Sequence, residues 1–225
     1  RCDNLVIDGN GYAIDATGKA RIFYCTGKNI TLKNITLKNA LSSNGGAIFS
    51  GSECVLTISN CLLLQNTAQE KGGAIYNYKG EVIISDSTLS QNTSHLLGGA
   101  IYNEQGEFLP LGDSFHKDGA IHNYSKLTIT GSTLSKNSSQ DSGAIFNWGG
   151  EVNITGSEIS HNTASDDNGG IIFNVFGSMM ISDCELSNNK SKSHLALNKD
   201  HIEINNSIFK DNEGANILHN SRGSM

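Results

Sequence analysis

The sequence predicts an all-β fold, a parallel β-helix in which about eight rungs stack into a solenoid. Each rung is expected to contain three short strands and to occupy 20 to 27 residues. Three observations support this prediction. A glycine-led motif recurs at that spacing, a second motif lies between its copies, and apolar residues within both motifs alternate with a period of two. A fixed period of roughly 20–50 residues is typical of repeat architectures, and period-two alternation is typical of strands.

The first motif ends with asparagine in seven of eight copies. It reads GGAIYN at 72–77 and at 98–103, and its other copies are variants of this pattern. In a parallel stack, equivalent residues of neighbouring rungs lie about 4.8 Å apart, so like side chains form columns. We expect the Ile of the motif to face the core. We also expect a hydrogen-bonded Asn ladder, formed by Asn77, Asn103, Asn123, Asn147, Asn174 and Asn198.

The second motif consists of two short strands joined by a turn. It reads VIISDSTLSQN at 82–92 and VNITGSEISHN at 152–162. Cys61 and Cys184 occupy a position at which the other copies have Ser. This substitution pattern predicts a small buried slot in which Cys acts as a small apolar residue. A second Asn column ends this motif.

One domain is expected to span residues 1–225, with one irregular rung. Between Asn103 and Asn123 the second motif is replaced by an unrelated segment that contains Pro110. Proline removes a backbone donor from a strand ladder, so segment 104–118 is expected to bulge or kink.

Composition excludes two classes of partner. The 225 residues carry a net charge of −6 and only 17% charged residues, without a basic stripe, so nucleic acid is not an expected partner. No apolar run approaches the roughly 18 residues of a membrane span, so no membrane insertion is expected within this chain.

No convincing catalytic or metal-binding cluster emerges from the motifs. Asp166 and Asp167 are the adjacent acidic pair, and they are weak metal candidates because Ca²⁺ prefers six to eight oxygen ligands. We therefore expect no catalytic residues, no metal, no cofactor and no enzymatic activity. Acids converging from different rungs stay an open alternative.

An aromatic column follows the inward Ile column and is expected to face outward, because successive side chains of a strand alternate. Flat rings on an exposed face bind the apolar faces of sugars or a protein partner. The opposite interpretation, in which this column is buried, stays open. The proposed ligand-binding strip contains Tyr76, Tyr78, Tyr102, Tyr124, Phe146 and Trp148.

Cys2 and Cys25 lie 23 residues apart, about one rung. This spacing allows the two residues to stack on neighbouring rungs, where a disulfide between them is geometrically conceivable. The redox state of this pair is left open.

The repeats resemble known surface proteins. The GGAI motif, together with an FxxN motif present strictly at 209–212, resembles the repeats of the polymorphic outer membrane proteins of chlamydiae. Segments 5–23 and 29–40 are similar to adhesin-like surface proteins of methanogenic archaea. These resemblances imply a right-handed, pectate-lyase-like β-helix, an extracellular or cell-surface location, and a fragment of a larger surface protein.

The function that this resemblance implies is adhesion. We expect a cell-surface adhesin-like module that binds a glycan or a protein of a partner cell through the flat face of the β-helix. One alternative is a polysaccharide lyase or hydrolase of the pectate-lyase-like fold. A second alternative is a passive structural stalk.

Overall fold

The computed structural model of the chain describes residues 3–96, 98–104, 121–123, 126–140, 145–148, 151–165, 170–175, 177–192, 194–198, 201–214 and 216–220. Within these residues the chain forms 31 short strands and no helix, which confirms the all-β prediction.

The first fifteen strands are β1 (Val6–Asp8), β2 (Ala13–Asp15), β3 (Phe23–Cys25), β4 (Ile30–Lys33), β5 (Thr36–Lys38), β6 (Leu41–Asn44), β7 (Ile48–Ser50), β8 (Val55–Ser59), β9 (Leu62–Leu64), β10 (Thr67–Lys71), β11 (Ile75–Tyr78), β12 (Glu81–Ser85), β13 (Thr88–Ser90), β14 (Thr93–Ser94) and β15 (Ile101–Glu104). The remaining strands are β16 (Ile121–Asn123), β17 (Lys126–Thr130), β18 (Thr133–Ser135), β19 (Ser138–Ser139), β20 (Ile145–Trp148), β21 (Glu151–Thr155), β22 (Glu158–Ser160), β23 (Thr163–Ala164), β24 (Gly170–Val175), β25 (Ser178–Ser182), β26 (Glu185–Ser187), β27 (Lys190–Ser191), β28 (His194–Asn198), β29 (His201–Asn205), β30 (Ile208–Lys210) and β31 (Asn216–Asn220).

These strands form four parallel sheets that run along the solenoid. Sheet A has the order β1-β4-β8-β12-β17-β21-β25-β29, and sheet B has the order β2-β5-β9-β13-β18-β22-β26-β30. Sheet C contains β3-β7-β11-β15-β16-β20-β24-β28-β31, and sheet D contains β6-β10-β14-β19-β23-β27. One turn of the chain visits sheets A, B, D and C in that order, as β8 to β11 do. The parallel β-solenoid is therefore confirmed.

The number of strands in a turn differs from the prediction. A complete turn has four strands instead of three, and about six turns contain all four, compared with the eight three-stranded rungs expected. The additional strands belong to sheet D, and several have only two residues, such as β14. They are short and polar, so the period-two apolar signal does not reveal them.

Inward-facing aliphatic ladders fill the solenoid. Ile48, Ile75 and Ile101 occupy equivalent positions in sheet C and are completely buried, as the first motif predicted. Sheet B contributes Leu63 and Leu89 to the same core. Burial of apolar surface of this kind contributes about 25 cal/mol for each Å². The alternation of the sequence therefore corresponds to the inside and the outside of each strand.

A buried Asn ladder runs through the solenoid at the end of the second motif. Each Asn side chain donates to the Asn of the next turn, at distances from 2.9 to 3.4 Å. The same side chain donates to a backbone carbonyl near the preceding turn, as Asn66 does to Leu37 at 3.1 Å. The ladder consists of Asn66, Asn92, Asn137, Asn162, Asn189 and Asn212. It fixes the register between turns, because each side chain bonds to both of its neighbours.

The left-handed corner residues are not the Asn residues that end either motif. They instead directly precede the buried ladder, with φ near +55° at Gln65, Gln91 and Lys136. Asn66, Asn92 and Asn137 themselves do not adopt a positive φ. Their amide groups are used for side-chain hydrogen bonding.

Sheets A and B continue directly from β12 to β17 and from β13 to β18. The hydrogen-bonded residues Asn92 and Asn137 are consequently 45 positions apart, compared with 25 to 27 elsewhere in the ladder between Asn66 and Asn189. Sheet C has an additional strand, β16, between β15 and β20. Segment 104–118 lies outside the described residues except at Glu104, so its irregular structure stays a prediction.

Candidate binding face

A stacked aromatic column, here called the aromatic ladder, crosses the first four strands of sheet C. In-register pairing of β3, β7, β11 and β15 places the four rings at equivalent positions. Their centroids lie 4.6, 5.3 and 5.3 Å apart, and the rings are nearly parallel. Aromatic contacts of this kind contribute about 0.5–1.5 kcal/mol beyond the area that they bury. The ladder consists of Tyr24, Phe49, Tyr76 and Tyr102.

Arg21 fixes one end of the aromatic ladder. Its guanidinium carbon lies 5.7 Å from the centre of the Tyr24 ring and 5.4 Å from that of Phe49. The guanidinium also donates to the carbonyl of Gly45 at 3.0 Å and to the backbone carbonyl of Asn44. Burial lowers the pKa of Arg21 from its ordinary value. Arg21 therefore satisfies carbonyls at the end of sheet D, where the first turn has no strand, and holds two rings in place.

Lys71 has the corresponding role at the other end. Its Nζ lies 4.7 Å from the centre of the Tyr102 ring and donates to the Tyr102 hydroxyl at 3.2 Å. This contact satisfies the polar tip of a nearly buried tyrosine. The two cations together restrict the ring orientations along the ladder.

Exposure changes steeply along the ladder. Tyr24 is 65% exposed, whereas Tyr76 and Tyr102 are 9% and 3% exposed. Both faces of the Tyr76 ring are stacked against neighbouring rings. The outward aromatic column is therefore accessible to solvent at Tyr24, whereas its rings at Tyr76 and Tyr102 are buried. A flat ligand has access to the ladder at Tyr24.

Sequence reasoning missed Tyr24 because the first turn lacks the GGAI motif. The signal was present in the alignment of Phe23-Tyr24-Cys25 with Ile48-Phe49-Ser50, which pair residue by residue. Tyr24 follows the inward Phe23, as Phe49 follows Ile48.

A second aromatic position lies further along the same strands. Tyr78 is half-buried, and the Lys79 Nζ lies 5.1 Å from the centre of its ring. Its strand partner in the next turn is Glu104. Tyr78 therefore lies on the same side of β11 as Tyr76, two residues further on.

The side chains of the other predicted strip residues, Tyr124, Phe146 and Trp148, lie outside the part of the chain that the structure describes. Tyr124 lies outside the described residues. The backbone of β20 pairs Phe146 with Phe173 and Trp148 with Val175, while the side chains of β20 lie outside the description. Contacts between these residues and a ligand stay a prediction.

The predicted Asn ladder of the first motif is partly described. The backbone pairs Asn77 with Asn103, Asn123 with Asn147, and Asn174 with both Asn147 and Asn198. The Asn77 side chain is completely buried. The other side chains of this column lie outside the description.

Sheet A presents a flat outward face rich in hydroxyl groups. Five successive strands place a Ser or Thr at equivalent outward positions, and Thr155 Oγ1 lies 3.2 Å from Ser182 Oγ. The pairing is in register throughout this column, which contains Ser59, Ser85, Thr130, Thr155 and Ser182. The face therefore offers hydrogen-bonding groups at a regular spacing of about 4.8 Å.

The acidic pair Asp166 and Asp167 lies outside the described residues. Among the residues that the structure describes, no group of three or more His, Cys, Asp or Glu side chains is arranged to hold a metal ion. No helix in this part of the chain has the length and apolar character that a membrane span requires.

In comparisons with known proteins, residues 60–78 and 86–104 match the family model of the Chlamydia polymorphic membrane protein repeat. No curated protein and no solved structure matches the chain. Each matched segment covers the strands of sheets B, D and C in one turn, which are β9 to β11 and β13 to β15. Two segments of the chain are therefore similar to the Chlamydia polymorphic membrane protein repeat, and each forms part of one turn of the parallel β-solenoid.

Proposed function

We propose that this chain is an adhesin-like module of a surface protein, and that it binds a glycan or a protein of a partner cell through the outer face of sheet C. The repeat match supports a surface or outer-membrane location, because it is to a polymorphic membrane protein repeat. The four in-register sheets support a binding role, because they present long flat faces.

The observation that carries the proposal is the open end of the aromatic ladder. Tyr24 is 65% exposed and stacks on Phe49 with centroids 4.6 Å apart. A tyrosine of this kind offers a large amphipathic contact area together with a hydrogen-bonding hydroxyl. Aromatic residues are also enriched among those that carry most of the binding energy of interfaces.

The ladder is already ordered before a ligand arrives. Tyr24 stacks on the Phe49 ring, and the Arg21 guanidinium lies beside both rings and donates to the Gly45 carbonyl. Fixing a rotamer-rich side chain on binding costs about 0.5–1.5 kcal/mol, and prior ordering reduces that cost. This arrangement favours tight binding to a small exposed area.

A glycan array and a cell-binding assay with the purified chain test the proposal. We expect Tyr24→Ala to weaken binding at least fivefold, because it removes the exposed ring. The matched control is Tyr12→Ala, which changes another first-turn tyrosine that is 76% exposed and lies outside the ladder. Equal binding by Tyr24→Ala and the unchanged chain would contradict the use of this site.

A second variant tests the predicted extension of the strip. Trp148→Ala, alone and with Tyr124→Ala, is expected to weaken binding further if the ligand follows sheet C along several turns. Unchanged affinity in these variants, with loss in Tyr24→Ala, restricts the contact to the first turns.

The proposed role is binding without catalysis. Incubation of the chain with a panel of acidic polysaccharides is expected to release no unsaturated uronide. Product release that scales with protein concentration would replace the binding proposal with the lyase alternative.

A further inference from the structure

Two buried cysteines lie at the corner that joins sheet C to sheet A, one in each of the first two turns. Cys25 ends β3, and Cys54 directly precedes β8. Cys25 is 8% exposed and Cys54 is completely buried, and both belong to the hydrophobic core. Their side chains therefore face the same interior.

Backbone hydrogen bonds bring the two residues together. Cys25 lies opposite Ser50 in the β3–β7 pair, and its carbonyl accepts from the amide of Gly51 at 2.7 Å. The amide of Cys54 donates to the carbonyl of Gly51 at 3.2 Å, which closes a tight turn. Both cysteines are therefore hydrogen-bonded through backbone atoms to the same residue, Gly51.

Ser50, directly opposite Cys25, is completely buried, and both cysteines are buried as well. Burial, together with the charge interaction with Cys54, raises the pKa of Cys25 to about 11. The two thiols are therefore electrostatic neighbours inside one corner.

We propose that Cys25 and Cys54 are a disulfide-forming pair that covalently links the first two turns of the solenoid. Both S–H bonds break and one S–S bond forms. Two electrons and two protons pass to a low-molecular-weight disulfide such as oxidised glutathione, which is reduced to two thiols. Surface proteins fold in compartments where such oxidation persists.

The pair stands apart from the two other described cysteines. Cys61 and Cys184 each donate to backbone carbonyls within the small-residue column, at 3.2 Å to Ser59 and 3.1 Å to Ser182. Four other turns have Ser in that column, at Ser87, Ser132, Ser157 and Ser207, so these thiols serve as hydrogen-bonding substitutes for Ser. Cys2, for which the sequence left a bond to Cys25 open, lies outside the described residues.

The link acts on the turn that is least protected. Strand β2 is exposed at all three residues, and β1 at two of its three. Elements with few buried contacts open at low free-energy cost. A bond between Cys25 and Cys54 closes a loop of about 30 residues in the unfolded chain, which restricts that state.

Peptide mapping of the oxidised chain tests the proposal. Trypsin leaves Cys54 and Cys61 in one peptide, 39–71, whereas Cys25 falls in 22–28 and Cys2 in 2–19. The chain carrying Cys61→Ser is therefore refolded with oxidised and reduced glutathione, alkylated without reduction, and digested. The Cys61 position accepts Ser at other turns, so this variant keeps the column intact. We expect peptide 22–28 cross-linked to 39–71, and reduction releases both.

The thermal midpoint provides the second measurement. Oxidation is expected to raise it by about 5–10 °C, from the loop length and the size of the domain. Cys54→Ser and Cys25→Ser are each expected to abolish that rise, and Cys184→Ser is expected to retain it. Complete alkylation of Cys25 and Cys54 after oxidative refolding, or a link between 22–28 and 2–19, would overturn the proposal.

Discussion

The side chain of Asn137 uses all four of its hydrogen-bonding positions inside the solenoid. Its Oδ1 accepts from the backbone amide and the side-chain amide of Asn92. Its Nδ2 donates to Leu89 O and to Asn162 Oδ1, each at 3.1 Å. A buried polar group is stable only when it is paired, and this ladder achieves that pairing without water.

Replacing Asn137 with Ala is expected to reduce the free energy of unfolding by about 2–4 kcal/mol, because partners on both neighbouring turns lose their bonds. Chemical denaturation measures the effect. The matched control is Asn153→Ala, since Asn153 lies on an outward position of sheet A and bonds to Glu151 at 2.8 Å. We expect that control to stay within about 0.5 kcal/mol of the unchanged chain. Equal losses in both variants would show that the ladder is not the source of the stabilisation.

The small column is the repeat position that holds Cys61, Cys184 and the equivalent Ser residues. Its hydrogen bonds explain why both Ser and Cys occur there. Ser132 accepts from the amide of Ser87 at 3.2 Å and donates to the carbonyl of Thr130 at 2.8 Å. Cys184 keeps the same pattern, since its thiol donates to Ser182 and hydrogen-bonds with the backbone of Ser157. Burial raises the pKa of the Cys184 thiol, so it stays protonated at neutral pH.

A pair of substitutions separates size from hydrogen bonding in this column. Ser132→Ala is expected to cost about 1–3 kcal/mol, because the buried amide of Ser87 loses its acceptor. Cys184→Ser keeps a donor and an acceptor, so we expect a change below about 1 kcal/mol. Urea denaturation of both variants gives these values. A larger loss for Cys184→Ser than for Ser132→Ala would contradict the hydrogen-bonding account.

At the scale of elements, a repeated Gly-Gly pair leads into strands β7, β11 and β15 of sheet C. Gly72 adopts a left-handed conformation with φ of +68°, three residues before β11. A Cβ on Gly73 would lie 2.1 Å from the carbonyl oxygen of Gly99 in the next turn. The first glycine is needed for its conformation, and the second is needed because the backbones of two turns approach closely.

Substitution of these glycines distinguishes the two reasons. Gly73→Ala is expected to cost about 3 kcal/mol or more, because backbone atoms of neighbouring turns must separate. Gly156→Ala is the control, since Gly156 has φ of +57° and no atom within 4 Å of an added Cβ. Its expected cost is the conformational one alone, about 1–2 kcal/mol. Thermal and chemical unfolding check both values, and a cost for Gly73→Ala no larger than the control would reject the close approach.

At the scale of the whole molecule, each turn contacts mainly the turns before and after it, as sheet order shows. Stability in such a solenoid is approximately a sum over turns and their interfaces. The ladders of Asn, of Ser and Cys, and of aromatic rings all cross these interfaces. One turn is therefore the natural unit of insertion and deletion.

Deletion of residues 137–161 removes one whole turn, since the hydrogen-bonded Asn137 and Asn162 are 25 positions apart. We expect a folded protein with a smaller free energy of unfolding and a denaturant m-value lower by roughly a tenth, in proportion to the surface lost. Ligand binding at Tyr24 is expected to persist, because the aromatic ladder precedes the deletion. Circular dichroism, denaturation and the binding assay provide the measurements.

The control deletes 137–148, about half a turn, and is expected to disrupt folding because it breaks the register. If the half-turn deletion folds, or if the whole-turn deletion does not fold, one turn is not the unit of deletion.

The repeat period and its alternation determined much of the fold. Equivalent residues had to stack at a constant distance, so the sequence predicted the parallel solenoid, the inward column of Ile48 and Ile75, and the small column that includes Cys61 and Cys184. Sheet D was missed because its strands are too short and polar to carry a period.

The alternation of apolar and polar residues predicts on which side of a strand a side chain lies. Its solvent exposure also depends on which other residues cover that side. The Tyr76 side chain lies on the outer side of its strand but is buried, because neighbouring rings stack on both of its faces. Tyr24 is exposed to solvent because the aromatic ladder ends there. The same limit applies to Cys25 and Cys54, whose backbones both bond to Gly51 at a turn between two sheets. The sequence by itself therefore determined which residues form columns. Only the tertiary structure decided which column ends reach solvent and which cysteines lie at one corner of the core, because both depend on packing between turns.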